Sequence, residues 1–174
     1  MNEFTTVEKV LFDLSSTGVR PPWQIVNDAV MGGVSTSAFE SSGGAAVFRG
    51  VVSVENNGGF ASVRSSPARH KLGGCDRFVI RLRGDGHRYK FTVRTAAGFD
   101  TPLYQCAFPT KRGVWEELQL AFNGFVPTFR GQVLADAPPL NPAKVTSLGF
   151  LIADQQAGPF QLEIAWVKAS SGVP

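Results

Sequence analysis

Asp28, Asp85 and Arg64 are the side chains whose surroundings best suit chemistry, because each lies in a run of glycines and polar residues. The runs read Asn27-Asp28-Ala29-Val30-Met31-Gly32-Gly33-Val34-Ser35, Asn57-Gly58-Gly59-Phe60-Ala61-Ser62-Val63-Arg64 and Arg83-Gly84-Asp85-Gly86-His87-Arg88-Tyr89. Polar loops carried on a rigid scaffold are where ligands and partners are met. A carboxylate between glycines can ligate calcium, but that ion needs several hard oxygen ligands. Asp85 has no acid beside it in sequence, so Gly84-Asp85-Gly86 reads as a turn, which also accounts for the adhesion-like tripeptide Arg83-Gly84-Asp85. Met31-Gly32-Gly33 could form an anion-binding nest of backbone N–H groups. It lacks the trailing Lys-Ser/Thr and the following helix of a phosphate loop. Whether Asp28, Arg64 and Asp85 meet at one site or sit in separate turns is left open by the sequence.

Catalysis has no comparable support. There is no Gly-x-Ser-x-Gly elbow, no nucleophile beside a His and no close carboxylate pair. Glu116 and Glu117 fall on opposite faces of a strand. Cys75 and Cys106 read as small buried apolar residues rather than a disulfide framework, and His70 and His87 have no second ligand at metal-binding spacing. No catalytic residue, metal or cofactor is expected.

Charge is uneven. Nine of the 17 Lys and Arg, with both His, lie between Arg64 and Arg94, against only Asp76 and Asp85. If Arg77–Arg83 and Tyr89–Thr95 pair as a hairpin, then Arg77, Arg81, Arg83, Arg88, Lys90 and Arg94 share one face. That face would suit an anionic partner, or simply be solvated, the plainer reading. Val79 and Thr92 supply no aromatic ring between the cations, so nucleic acid is not the expected partner.

The elements that must position these residues are short. Alternation is clear in Phe78/Ile80/Leu82, in Tyr89/Phe91/Val93 and in Phe160/Leu162/Ile164/Trp166. Asn56-Asn57-Gly58-Gly59 reads as a tight hairpin turn. The spacing predicts about eleven strands, with a helical turn near Leu140–Lys144 or Ala68–Leu72. With 14 Phe, 3 Trp, 19 dispersed Gly and 11 Pro in 174 residues, the expectation is one all-β domain over 1–174, a two-sheet β-sandwich or jelly roll. No apolar run reaches the roughly 18 residues of a membrane span, and the first residues resemble neither a signal nor a transit peptide. A cytoplasmic location is expected.

These same residues resemble the complex I intermediate-associated protein 30 family. Its Trp, then Asn-Asp-x-x-Met-Gly-Gly-x-Ser, corresponds to Trp23 through Ser35. Its Phe-x-Gly and Asn-Gly-Gly-Phe-x-Ser-x-Arg correspond to Phe48–Gly50 and Asn57–Arg64, and Arg-Gly-Asp-Gly-x-x-Tyr to Arg83–Tyr89. Tyr104-Gln105, Trp115, Phe125-x-Pro127-x-x-Arg130-Gly131, Leu148-Gly149-Phe150 and Gly158-Pro159-Phe160-x-Leu162 follow in order. The resemblance implies a galactose-binding-domain-like jelly roll, kinship with a mitochondrial factor that helps assemble respiratory complex I, and no catalytic residues. The chain starts at the domain itself, so a stand-alone, bacterial-type member is expected.

The resulting expectation is a non-catalytic protein-binding or assembly module. Its partner would be a complex I subunit or assembly intermediate, met at the inner-membrane surface. The candidate contacts are Trp23, Asn27, Asp28, Met31, Phe60, Arg64, Asp85, Tyr89, Phe125 and Arg130. The alternative is a carbohydrate module, with Trp23 as stacking platform beside Asn27, Asp28 and Arg64, although core is the plainer reading of Trp23.

Overall fold

A computed structural model describes residues 6–15, 23–97 and 101–172. It contains β1 (Glu8–Asp13), β2 (Trp23–Ile25), β3 (Thr36–Ser42), β4 (Ala45–Val52), β5 (Ala61–Ser65), β6 (Arg77–Arg83) and β7 (Arg88–Arg94). They are followed by β8 (Leu103–Pro109), β9 (Trp115–Ala121), β10 (Val126–Phe129), β11 (Gln132–Val133), β12 (Ser147–Ile152) and β13 (Gly158–Ser170). One sheet has the order β3-β4-β13-β6-β9, with β1 also paired to β13; the other runs β11-β10-β8-β7-β12-β5-β2. Every strand pair is antiparallel. The thirteen-residue β13 organises the first sheet, pairing with β4 along its first half and β1 along its second. The chain is the all-β two-sheet sandwich expected from the alternation.

Two expected hairpins are not hairpins. β6 belongs to the first sheet and β7 to the second, so Gly84-Asp85-Gly86-His87 carries the chain between sheets. The apolar faces of β6 and β7 therefore look at each other across the core, with the Phe78 and Phe91 ring centroids 5.0 Å apart. Asn56-Asn57-Gly58-Gly59 likewise links β4 to β5 across the sandwich. The positive φ expected there is present, at Asn56 (56°), Asn57 (59°) and Gly59 (129°). Local turn chemistry is the same whether a chain reverses within a sheet or arches over the core, and only burial on a second layer decides. The expected single basic face fails for the same reason: Arg77, Arg81 and Arg83 project from one outer face, and Arg88, Lys90 and Arg94 from the opposite one.

β10 and β11 were not expected, since Pro127 lacks an N–H and β11 has only two residues. A 3-10 turn forms at Pro142–Lys144, capped by the Asn141 side chain; Ala68–Leu72 is not helical. Phe48, Phe78, Tyr89, Phe91 and Phe150 are fully buried between the sheets. Edge-to-face contacts link Phe91 to Phe150 (5.2 Å) and Phe48 to Phe160 (5.0 Å), each worth about 0.5–1.5 kcal/mol beyond area burial.

Candidate functional site

The Gly-rich motifs converge on the carboxylate of Asp28, which is completely buried. One oxygen accepts from the Ser35 amide (3.0 Å), the other from the Ser35 hydroxyl (2.5 Å) and the amides of Gly59 (2.7 Å) and Phe60 (3.3 Å). Ser35 leads into β3 and Phe60 into β5, so this one side chain ties the two sheets together. Asn27 repeats the brace: its Oδ1 accepts from the Ser37 hydroxyl (2.9 Å) and the Ser62 amide (3.3 Å). The glycines make room for it. A Cβ on Gly33 would lie 2.4 Å from Asp28 Cγ, and one on Gly58 would lie 2.5 Å from Oδ2. Burial pushes the Asp28 pKa up, but the hydrogen bonds from Ser35, Gly59 and Phe60 more than offset it and hold the group below its usual value.

Braced from below, the 3-10 turn Asp28–Met31 presents its tip to solvent: Val30 is 73% and Met31 64% exposed. Val34 and Val54 are exposed on the adjoining loops. Beside the tip, Gln24, Val26, Asn27, Val30 and Arg64 line a groove of about 320 Å³. Sequence reasoning singled out Met31 but missed Val30, Val34, Val54 and Gln24; for the valines the available signal was apolar residues inside a Gly-flanked loop, and Gln24 carried none.

Asp85 works in the same way as Asp28. It accepts from the His87 amide (3.1 Å), the Tyr89 hydroxyl (3.0 Å) and the Gln161 amide (2.8 Å), and His87 Nδ1 lies 2.8 Å away. Burial acts to raise its pKa, and the hydrogen bonds from Gln161, His87 and Tyr89 bring it below the ordinary value. The fully buried Tyr89 is pushed far upward, first by burial and then by the Asp85 charge, so its hydroxyl stays a donor. Asp28, Arg64 and Asp85 thus make no single site: each carboxylate secures its own arch, and Arg64 stands on the outer face of β5.

Two other candidate contacts lie on the core. Phe125 is core, 5% exposed and against Phe78 and Phe91, because the run after β9 folds it under the sandwich. Trp23 packs on Phe12 (4.9 Å) and Phe39 (5.0 Å), so its ring closes the core edge rather than offering a stacking platform. Phe60 is half-buried. Arg130 is exposed at the β10–β11 turn with φ 49°. Among the cations, Arg81 meets Glu117 (3.6 Å), Arg83 pairs with Glu163, and Lys90 meets Asp154 (3.1 Å). Both cysteines are free and half-buried, with burial raising their thiol pKa values. The described residues hold no group of three or more His, Cys, Asp or Glu suited to a metal, and no helix among them is long and apolar enough to cross a membrane.

The described residues form a two-sheet antiparallel sandwich whose loops arch between the layers. The same architecture occurs, at 14% identity and TM-score 0.72, in a family 11 carbohydrate-binding module from Clostridium thermocellum, with 95% of this chain and 96% of that one covered. A family 29 carbohydrate-binding module follows at TM-score 0.57 and 11% identity, over 96% of this chain and 90% of that one. These likenesses establish the fold. Residues 12–164 match the Complex I intermediate-associated protein 30 (CIA30) family, and the chain belongs to it. The mitochondrial Complex I intermediate-associated protein 30 of Drosophila melanogaster is 30% identical over 183 aligned positions, 91% of this chain and 61% of that protein. A Caenorhabditis elegans relative of the same description is 25% identical over 94% of this chain and 52% of its own length. The chain therefore spans between half and two thirds of those relatives.

Proposed function

We propose that the protein is a non-catalytic protein-binding module that acts as an assembly factor, holding a subunit or intermediate of respiratory complex I. The observation that carries this reading is the exposed Val30–Met31 tip on a loop immobilised by the buried Asp28 carboxylate. Leaving two large apolar side chains in water does nothing for the sandwich itself, and a rigid apolar knob loses little entropy on docking. Family membership supports the choice of partner. The carbohydrate alternative draws on the groove that Gln24, Asn27 and Arg64 help to line, but Trp23, the ring that would stack on a sugar, is packed inward. The nucleic-acid reading loses its basis with the division of the six cations between opposite faces.

The test is affinity capture from the native cells, comparing the wild type with Val30→Asp/Met31→Asp. Exposed substitutions of this kind change stability by less than about 0.5 kcal/mol, so the variant folds. The expected result is recovery of a complex I intermediate by the wild type and its loss in the variant. Equal recovery by both, or fully assembled complex I in cells lacking the protein, would sink the proposal.

A further inference from the structure

Two tryptophans stand on the outer face of the six-stranded sheet. Uninterrupted alternation along β13 would put Trp166 in the core with Phe160, Leu162 and Ile164. A β-bulge prevents it: Ile164 lies opposite Leu82 and Trp166 opposite Arg81, so two steps along β13 answer one along β6. Ala165 is buried at the bulge, Val167 and Ala169 continue the core face, and Trp166 turns outward between them. Trp115 opens β9 opposite Arg83, which is an outward position because Ile80 and Leu82 fill the core. Both tryptophans are partly exposed. They lie on the two strands that flank β6, offset by two residues, or ~12 Å apart between backbone positions.

Cations steady both rings. The Arg81 and Arg83 guanidinium carbons lie 5.3 and 5.0 Å from the Trp115 ring centroid, and Lys168 Nζ lies 4.2 Å from that of Trp166. Each of these cations has its own acid: Arg81 meets Glu117 (3.6 Å), Arg83 pairs with Glu163, and Lys168 meets Glu8 (2.9 Å). Charge around the rings therefore cancels. Such a surface gives nucleic acid no excess of cations, and gives an acidic or basic peptide no field to complement. It offers instead two flat apolar rings with planar donors and acceptors between them.

We propose that this face binds a neutral, β-linked oligosaccharide, with Trp115 and Trp166 each stacking on one sugar ring. A pyranose in such a chain presents C–H groups on its flat faces and hydroxyls around its rim. The C–H face meets the indole. The hydroxyls donate to Glu117 and accept from Arg81, whose side chains are 55% and 39% exposed between the rings. The ion pairs hold these groups in place before a ligand arrives, which lowers the ordering cost of binding. An extended chain laid diagonally across β6 reaches both rings. The site is separate from the Trp23 groove, where the ring is packed inward, and the inference goes beyond the assembly reading without depending on it.

The experiment is a titration of the isotopically labelled protein with cellohexaose, xylohexaose and mannohexaose, read at the indole N–H signals of the three tryptophans. Expected with at least one sugar are shifts at Trp115 and Trp166 while Trp23 stays in place, and equal affinity at low and high salt. Affinity should fall about tenfold in each of Trp115→Ala and Trp166→Ala. Trp115→Phe and Trp166→Phe keep a smaller ring, serve where an alanine variant does not fold, and should bind with intermediate affinity. No shift with any of the three sugars, a shift confined to Trp23, or full affinity in these variants would overturn the proposal. So would a protein partner captured by the wild type and lost in Trp115→Phe/Trp166→Phe when no sugar produces a shift. Val30→Asp/Met31→Asp should bind the sugar as the wild type does, which separates this face from the loop tip. Sugar binding with no complex I intermediate captured removes the assembly reading and leaves this one standing.

Discussion

At the scale of single residues, the acids that looked like ligands are structural braces, and their protonation should govern acid stability. Replacing Asp28 by Asn swaps an acceptor oxygen for an NH₂ group facing backbone donors, leaving a buried amide unpaired at a cost of about 3 kcal/mol. Denaturant unfolding of Asp28→Asn should show that loss with an unchanged m-value. The pH dependence should have two parts. His70 is buried against Phe12, and burial followed by the Lys9 charge lowers its pKa. Its neutral form is favoured in the fold, so its contribution is complete above the unfolded value near 6.5 and declines as pH falls below that. Asp28 and Asp85 are both depressed, so their contribution is complete above about pH 4 and is lost as pH falls through their folded values. Stability measured from pH 8 to pH 3 should decline in both windows. His70→Leu should flatten only the upper one; a profile unchanged by that substitution would contradict the assignment.

At the scale of elements, period-two alternation made nearly every strand legible, because half-buried strands leave that imprint whatever they pair with. Sheet membership was not legible. Gly84-Asp85-Gly86 and Asn57-Gly58-Gly59 have hairpin chemistry yet arch between layers, and the evidence for this lies in distant residues such as Gln161 and Ser35. The division of the basic residues followed from that error, and so did the placing of Phe125 at the surface. Of the candidate site, the motifs identified the right loops, but the aspartates inside them were assigned to the surface. Asp28 is instead the group the glycines accommodate, and the valines it exposes are marked only by being apolar residues in a Gly-flanked loop. The β6–β7 arch gives a direct check. A Cβ on Gly84 would lie 2.2 Å from that of Thr110, whose hydroxyl accepts from the Gly86 amide (3.1 Å) and donates to the His87 carbonyl (2.7 Å). Gly84→Ala should therefore cost about 1–3 kcal/mol. Gly124→Ala, where a Cβ meets nothing within 4 Å, should change stability by less than about 0.5 kcal/mol. Equal effects at the two sites would mean that the arch does not pack as described.

At the scale of the whole molecule, the two outer faces predict stability effects of opposite sign for the same chemical change. Arg83 forks onto the Glu163 carboxylate, which is only 16% exposed, and its side chain stacks on Trp115 at 5.0 Å. Arg83→Gln strands that carboxylate and should lower stability. Arg94 faces Arg64 across β12 and is opposed by burial as well as by that charge. Arg94→Gln relieves both and should leave stability unchanged or raise it by up to about 1 kcal/mol. Thermal unfolding of the two variants, read at low and at high salt, distinguishes these cases. The Arg94→Gln gain should shrink as salt screens the repulsion. A loss of stability at Arg94 comparable to that at Arg83 would mean that burial and the Arg64 charge do not oppose it as described.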